Sequence, residues 1–257
     1  MLSIFRKKRK ISNKIETDFH SHLIPGIDDG ASNLEESLKL IKMMHELGYK
    51  KLILTPHTAI ETFPNTKKNI LKNFELLKDT IKKAKIEIEL EIGSEYFLDQ
   101  GFLLLIEEEQ LLPIDKEYVL FETSRINKPS NLEDAIYQLK IKGYKPVIAH
   151  PERYRYILNC EKEYKELKRL GALFQVNLNS FNGYYGKEAK EKAMFLMKEG
   201  LIDFLGSDIH KFRHVENLQK VLQDLPLIEE IFSKNKILNN TLFKKKVEKF
   251  SFKEGLI

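Results

Sequence analysis

Thr17-Asp18-Phe19-His20-Ser21-His22-Leu23-Ile24-Pro25-Gly26-Ile27-Asp28-Asp29-Gly30 begins on a short strand, Ile15 to Phe19, that delivers two histidines at its end. Strand side chains alternate between faces, so His20 and His22 point one way and Ser21 the other. Pro25-Gly26 turns the chain, and Asp28-Asp29-Gly30 brings carboxylates back toward the same end. Two imidazoles on one face are half of a metal site, of a kind that suits Zn, Mn, Fe or Ni. Taken alone, His-x-His also fits two solvated loop histidines.

Outward from this stretch the chain writes helix and strand in turn. Ser32 with Glu35 has the spacing of a capping box, and Leu34, Leu38, Ile41, Met44 and Leu47 form a helical stripe that stops at Gly48. Lys51 to Thr55 is an apolar strand ending at Pro56-His57. Ile70, Phe74, Leu77 and Ile81 mark a second helix, and the alternating run Ile86 to Ile92 reaches Gly93-Ser94-Glu95. A short helix and Pro113 precede the strand Tyr118 to Phe121, which ends at Glu122. Ser130 and Glu133 suggest another capping box, with a helix running to Gly143. Pro146 to Ala149 ends at His150; after a helix over 162–170, Leu173 to Val176 ends at Asn177. A last unit, helix 187–199 and strand 203–206, ends at Ser207-Asp208. From about Val215 onward the pattern is helical with a basic close.

Helix, glycine, strand recurs at Gly48-Tyr49, Gly143-Tyr144, Gly171-Ala172 and Gly200-Leu201. Seven strands alternating with helices predict an α/β fold of parallel βα units, closed into a seven-stranded TIM-like barrel. An open doubly wound sheet is the alternative, but it would not gather ligands from nearly every strand. In such barrels the site lies at the C-terminal ends of the strands. Here those ends carry His20 with His22, His57, Glu95, Glu122, His150, Asn177, and Asp208 with His210. Six of seven deliver a metal-type ligand, which as a set of unrelated buried polar groups would need six coincidences.

The composition, 257 residues with 42% hydrophobic and 32% charged, is enough for one full core. No apolar run approaches the roughly 18 residues of a membrane span, and Met1 to Phe5 is too short for a signal-peptide core. The single cysteine, Cys160, excludes an internal disulfide and fits a reducing cytoplasm. The net charge of +5 is local: residues 1–14 hold six Lys and Arg and no acid, and removing those six from 43 leaves 37 against 38 Asp and Glu. This divides the chain into a disordered basic leader, 1–14, and a single domain, 15–257. The leader reads either as an electrostatic tether to anionic lipid or an acidic partner, or as a solubilising tail. The body has no basic stripe with interleaved aromatics, which argues against nucleic acid.

Other polar residues weigh less. His45 lies within a helix, and His214 adds little to the pair before it. Cysteine-phosphatase chemistry needs an arginine six positions after the cysteine, and position 166 is Glu. Tyr184-Tyr185 offers a surface for stacking an aromatic substrate, a role that common loop tyrosines also mimic. No Walker-type phosphate loop exists.

Asp18-Phe19-His20-Ser21-His22 followed by Ile24-Pro25-Gly26-Ile27-Asp28-Asp29-Gly30 resembles the opening motif of the PHP (polymerase and histidinol phosphatase) superfamily. More narrowly, it resembles the bacterial PHP-type protein-tyrosine phosphatases of capsule and exopolysaccharide operons. Thr55-Pro56-His57, Gly93-Ser94-Glu95, Phe121-Glu122, Ala149-His150-Pro151-Glu152-Arg153-Tyr154 and Ser207-Asp208-Ile209-His210 follow in the family's order, over roughly residues 15–240. The resemblance implies a distorted seven-stranded barrel with three divalent ions, manganese by family and Fe, Zn or Co by ligand chemistry. His20, His22, Glu95 and Asp208 would hold the first, and Glu95, Glu122 and His150 the second. Asp29, His57 and His210 would hold the third, although spacing does not separate Asp28 from Asp29. Arg153 matches a phosphate-binding arginine; Arg213 is the candidate for a second, though it follows Asp-x-His sooner than the pattern leads one to expect.

The implied chemistry is hydrolysis of a phosphomonoester. Two close cations lower the pKa of a bridging water, and the hydroxide attacks phosphorus while metals and Arg153 neutralise the phosphoryl oxygens. His210 or Asp208 would position a proton donor. The family's substrate is phosphotyrosine on a protein, the tyrosine-rich tail of the bacterial tyrosine kinase that controls polysaccharide export. A small-molecule phosphatase acting on histidinol phosphate shares the ligand set and is the alternative, although the Ile-Pro-Gly-Ile-Asp-Asp-Gly continuation favours the tyrosine-phosphatase branch. A catalytically silent barrel would be expected to have lost ligands, and none is missing. An amidohydrolase would need a bridging lysine that finds no place here.

Overall fold

The computed structural model describes residues 14–242; the basic leader, apart from Lys14, and the basic close of the chain lie outside them. The architecture is α/β, with every paired strand parallel to its neighbours and helices packed outside. In chain order the elements are β1 (Thr17–Ser21), α1 (Leu34–Glu46), β2 (Lys51–Leu54), β3 (His57–Thr58), α2 (Lys67–Lys83), β4 (Glu89–Ile92), β5 (Glu95–Phe97), α3 (Gln100–Glu107) and β6 (Tyr118–Glu122). There follow α4 (Leu132–Ile141), β7 (Lys145–Ala149), α5 (Cys160–Leu170), β8 (Leu173–Asn177), α6 (Lys187–Lys198), β9 (Phe204–Gly206), α7 (Phe212–Gln223) and α8 (Leu225–Lys234).

One sheet runs β1-β2-β4 and the other β3-β5-β6-β7-β8-β9. Nine strand segments thus stand where the sequence predicts seven, because two runs are interrupted. Pro56 has no N–H for the ladder, which separates β2 from β3, and Gly93-Ser94 separates β4 from β5. Ladder bonds nevertheless cross the breaks: Gly93 N–H donates to Leu54 O at 2.9 Å and Glu95 N–H to Pro56 O at 3.1 Å. At the other edge, Asp208 N–H donates to His20 O at 2.8 Å and His22 N–H to Ile209 O at 3.0 Å, tying the end of β1 to the chain that leaves β9.

Strand alternation sorts the core into two layers. Phe19, Ile53, Leu120, Val147, Ala149 and Phe204 face the space enclosed by the strands, with the Phe19 and Phe204 rings stacked 3.9 Å apart. Their neighbours in sequence, among them Leu52, Val119, Ile148 and Leu205, belong to the larger cluster that packs with the helices, as do Phe174 and Val176 of β8. On α2 the predicted stripe Ile70, Phe74, Leu77 and Ile81 is buried as a unit. The four glycines predicted as stops all adopt positive φ, from +67° at Gly200 to +96° at Gly171, a region closed to most other residues.

Two predicted caps are displaced. Asn33, not Ser32, caps α1: its Oδ1 accepts from Glu36 N–H at 3.0 Å, while Glu36 accepts from Ser32 N–H and Glu35 pairs with Lys39. The stretch offers two overlapping S/N-x-x-E spacings, and the later one supplies the cap without closing a box. Ser130 and Glu133 form no box, because Pro129 starts a turn that delays α4 to Leu132 and Glu133 reaches Lys128 instead. The C-terminal helical region begins at Phe212, three residues before its expected start, and splits at Asp224 into two helices. Among the described residues no helix is long and apolar enough to cross a membrane.

Candidate metal centre

At the C-terminal ends of the strands, nine side chains predicted as ligands converge. His20 Nε2 lies 3.2 Å from Glu95 Oε2 and 3.6 Å from Asp208 Oδ1; His22 Nε2 lies 3.3 and 3.5 Å from the same atoms. His57 Nδ1 is 3.1 Å from Glu95 Oε2 and 3.4 Å from Glu122 Oε1. His150 Nε2 is 3.0 Å from Glu95 Oε1, and His210 Nε2 is 3.3 Å from Asp29 Oδ1. Four overlapping groups could each hold an ion: His20-His22-Asp208, His20-Glu95-His150, His57-Glu95-Glu122 and His22-Asp29-His57-His210. His57 therefore faces two groups rather than one, and Glu95 stands at the centre of the cluster.

Two of these residues sit in strained backbone. His150 and Asp208, each just past a strand, have φ of +33° and +51°, in the left-handed region where non-glycine residues are uncommon. Such strain persists where surrounding structure over-determines it, and here it turns both side chains inward from the strand ends.

The donor chemistry fits a divalent metal. His20 Nδ1 meets the Gln175 side-chain oxygen at 2.7 Å, and His22 Nδ1 meets Asp28 Oδ2 at 2.9 Å. Both partners accept, so each neutral ring carries its proton on Nδ1 and leaves a bare lone pair on Nε2. Those two Nε2 atoms face one another at 2.9 Å, and the buried Glu95 Oε2 beside them has no hydrogen-bond partner. Lone pairs and carboxylate oxygens gathered without a donor call for a cation.

Electrostatics agree. Burial alone would lower the His20 and His57 rings, but Glu95 with Asp208, and Glu95 with Glu122 and Asp28, outweigh it and raise them to about 9 and about 10. Burial would raise Glu95 and Asp208, yet the surrounding histidines, joined at Asp208 by Arg153, hold both well below the usual carboxylate range. Burial and the adjacent Arg153 push His150 down to about 4. Burial, then Glu95, raises Glu122. In the protein alone, protons on imidazole balance the acids; a metal would displace them.

Geometry separates the two aspartates that spacing leaves equivalent. Asp28 turns away from the cluster, accepting from His22 Nδ1, Gly30 N–H and His57 N–H. Asp29 faces inward, 3.3 Å from His210 Nε2 and 3.6 Å from His57 Nε2.

The cluster opens into a cleft of about 430 Å³ lined also by Arg125, Arg153, Tyr185, Lys211 and Arg213. Arg153 Nη1 donates to Asp208 Oδ2 at 2.7 Å, and its guanidinium lies over the Tyr185 ring at 4.3 Å. The Tyr185 face that the sequence offers to an aromatic substrate is thus taken by Arg153, and Tyr184 packs edge-on against His214. Arg213 reaches the cleft from the first turn of α7, exposed. His214 is no ligand: its Nδ1 accepts from His210 N–H at 3.1 Å. His45 is exposed on α1, remote from the cleft lining. Glu152 is fully buried behind Arg153, accepting from Ser180 Oγ and Asn177 N–H.

Sequence reading missed Gln175 and Arg125 and gave Asn177 no role. Asn177 Nδ2 donates to Asp208 Oδ2 at 2.8 Å, and Gln175 Nε2 donates to Asn177 Oδ1 at 2.9 Å. The available signal was two amides alternating with Phe174 and Val176 on one strand.

Comparison with known proteins places this centre in context. Over 237 residues the chain is 29% identical to the tyrosine-protein phosphatase YwqE of Bacillus subtilis, covering 88% of this chain and 93% of that one. It is 28% identical over 200 residues to the tyrosine-protein phosphatase CpsB of Streptococcus agalactiae, covering 75% and 82%. Among solved structures it matches one from a study of YwqE from Bacillus subtilis and CpsB from Streptococcus pneumoniae, described as unique metal-dependent tyrosine phosphatases. That match has a TM-score of 0.75 and 28% identity, over 84% of this chain and 90% of that one. Histidinol phosphate phosphatase from Lactococcus lactis shares the fold, with a TM-score of 0.51 at 14% identity, over 81% and 93%. The family model described as capsular polysaccharide synthesis, CpsB/CapC, matches residues 16–236, and the chain belongs to that family.

Proposed function

We propose that the protein is a metal-dependent protein-tyrosine phosphatase that removes phosphate from a tyrosine-rich tail of a bacterial tyrosine kinase controlling capsule or exopolysaccharide export. The observation that carries this reading is the convergence of bare imidazole lone pairs and carboxylates beside Arg153, in a cleft whose other cations are Arg125, Lys211 and Arg213. The names of the relatives support the substrate class.

His20, His22, Glu95 and Asp208 would hold one divalent ion, Glu95, Glu122 and His150 a second, and Asp29, His57 and His210 a third. Manganese is our assignment, with Fe, Zn or Co compatible with the same donors. When bound, such ions lower the pKa of water and polarise phosphoryl oxygens. Arg153 would leave Asp208 for the phosphoryl oxygens, two of which its planar fork matches, with Tyr185 supporting the guanidinium from behind. Arg213 would supply a second positive charge at the mouth. His210 Nδ1 meets the Asp208 backbone O at 3.0 Å, so its ring proton lies on Nδ1, and in this reading His210 or Asp208 positions the proton donor for the departing oxygen. A tyrosine oxygen, of pKa about 10, needs less such help than an alkoxide.

The same reading takes the two interrupted sheets as one seven-stranded barrel, with β2 and β3, and likewise β4 and β5, each a single broken strand. The ladder bonds across the breaks and between β1 and the chain after β9 support this. It also takes residues 15–257 as one domain, with membrane contact through the basic residues 1–14 and action in the cytoplasm, which the lone Cys160 supports.

The test is phosphate release from a phosphotyrosyl peptide, with histidinol phosphate at matched concentration, each with added manganese and after chelation. Chelator-sensitive turnover of the peptide alone supports the proposal. Preference for histidinol phosphate overturns the substrate while leaving the metal centre standing.

A further inference from the structure

A second cavity of about 430 Å³ lies beside the catalytic cleft and shares a wall with it, formed by Arg125, Arg153 and Tyr185. It continues past Arg155 to Lys187 at the start of α6. The chemistry proposed above makes no use of it, yet three of its features lack a structural partner. Arg155 N–H donates to Arg125 O at 2.7 Å, which sets the two residues side by side. Both are exposed, and among the described residues the arginine ion pairs are those of Arg153 and Arg169. Along the lining, Glu152 Oε2 and the Tyr185 hydroxyl are buried without a hydrogen-bond partner. At the edge stands Ile126, 67% exposed.

The complementary ligand offers anionic groups to the two guanidiniums and some apolar surface to Ile126. An extended acidic peptide does both, since successive side chains along it alternate in direction and guanidinium recognises carboxylate through a planar fork. A compact phosphomonoester would occupy only the metal-side cleft.

We propose that this groove binds the polypeptide flanking the phosphotyrosine and selects substrates that carry Asp or Glu next to it. The inference rests on the phosphotyrosine reading and adds a basis for choosing among phosphotyrosyl proteins. Arg155 is the residue to test, because Arg125 and Arg153 also line the catalytic cleft.

The experiment compares kcat/KM for two phosphotyrosyl peptides that differ only by Glu or Gln on either side of the tyrosine, with a small aryl phosphate as the third substrate. The manganese-loaded full chain and its Arg155→Ala and Arg155→Glu variants are assayed at low and high salt. The native chain should prefer the Glu peptide by about five-fold for each ion pair formed, the upper range for exposed pairs, and lose the preference in salt. Arg155→Ala should cut it about five-fold through KM, leaving what Arg125 supplies, and leave the Gln peptide and the aryl phosphate unchanged; Arg155→Glu should cut it further. Equal rates on both peptides, or a uniform fall on all three substrates in Arg155→Ala, would overturn the groove alone. A chain that hydrolyses the aryl phosphate but neither peptide would instead remove the phosphotyrosine reading beneath it.

Discussion

Gln175 Oε1 and His20 Nδ1 lie 2.7 Å apart although 155 positions separate them in the chain. The orientation of that contact follows from the chemistry around it. Asp208 can only accept, so Asn177 turns its NH2 toward Oδ2 and its oxygen toward Gln175. Gln175 must then give its NH2 to Asn177 and its oxygen to His20. The relay fixes the His20 proton on Nδ1 and aims Nε2 at Glu95 and at Asp208 Oδ1, so that it begins and ends on the same aspartate.

Breaking the relay should weaken metal binding without unfolding the chain. Gln175→Leu should lower manganese affinity about 10- to 100-fold, the range for partners of ligating histidines. Titration calorimetry reads the affinity, and the 15N shifts of His20 in the metal-free protein well above pH 9, where the ring is neutral, read the tautomer. Unchanged affinity together with an unchanged Nδ1–H signature would count against the relay.

Gly206 is the neighbour that leaves room for it. A Cβ there would stand 2.4 Å from Gln175 Nε2 and 2.8 Å from His20 Cβ. Gly206→Ala should therefore cost about 1–3 kcal/mol as overpacking and also weaken manganese binding. Gly143→Ala meets no atom within 4 Å but keeps φ at +82°, so it should cost about 1–2 kcal/mol of strain and leave affinity intact. Paired melting and calorimetry separate the two.

Arg153 should act on turnover far more than on folding. Arg153→Ala should reduce kcat by about 100- to 1,000-fold, as loss of one oxyanion donor does, and Arg153→Lys should recover little because a point charge cannot supply the fork. Metal content must be measured alongside, since Arg153 also holds Asp208 Oδ2. A variant that keeps both its metal and its rate would remove Arg153 from the phosphate site.

The sequence was most legible where one residue type has one physical use. Glycine after a helix marked four turns that do take positive φ. Spacing placed nine polar side chains at strand ends, and they meet. It could not tell Asp28 from Asp29, because the difference lies in which one His22 Nδ1 and His57 N–H reach across the turn. Nor could it find Gln175, whose partner comes from another strand. The caps slipped where Ser32 and Asn33 competed for one helix start. Pro56 was read as the end of a strand, whereas the ladder resumes beyond it at His57.

Asp18 ties the rim to the pH dependence of stability. It is wholly buried, with Oδ1 accepting from Ser207 N–H at 2.8 Å and Oδ2 from Ser207 Oγ at 2.5 Å. Burial outweighs those bonds and raises its carboxyl from 3.8 to about 7. The folded state thus binds the proton more tightly than the unfolded one. Its contribution is fully present below about pH 4 and is lost as pH rises through about 7, with an upper bound of about 4 kcal/mol. Asp18→Asn should remove this dependence, since its Oδ1 keeps Ser207 N–H and its Nδ2 can donate to Ser207 Oγ. That hydroxyl remains free to donate to His20 O, 3.1 Å away. Melting of chelator-treated protein between pH 5 and 8 should therefore fall more steeply for the native chain than for Asp18→Asn. Other buried acids and histidines titrate in both, so the difference between the two curves isolates Asp18. Parallel curves would mean that Asp18 is already ionised in the fold and that its bonds to Ser207 offset its burial.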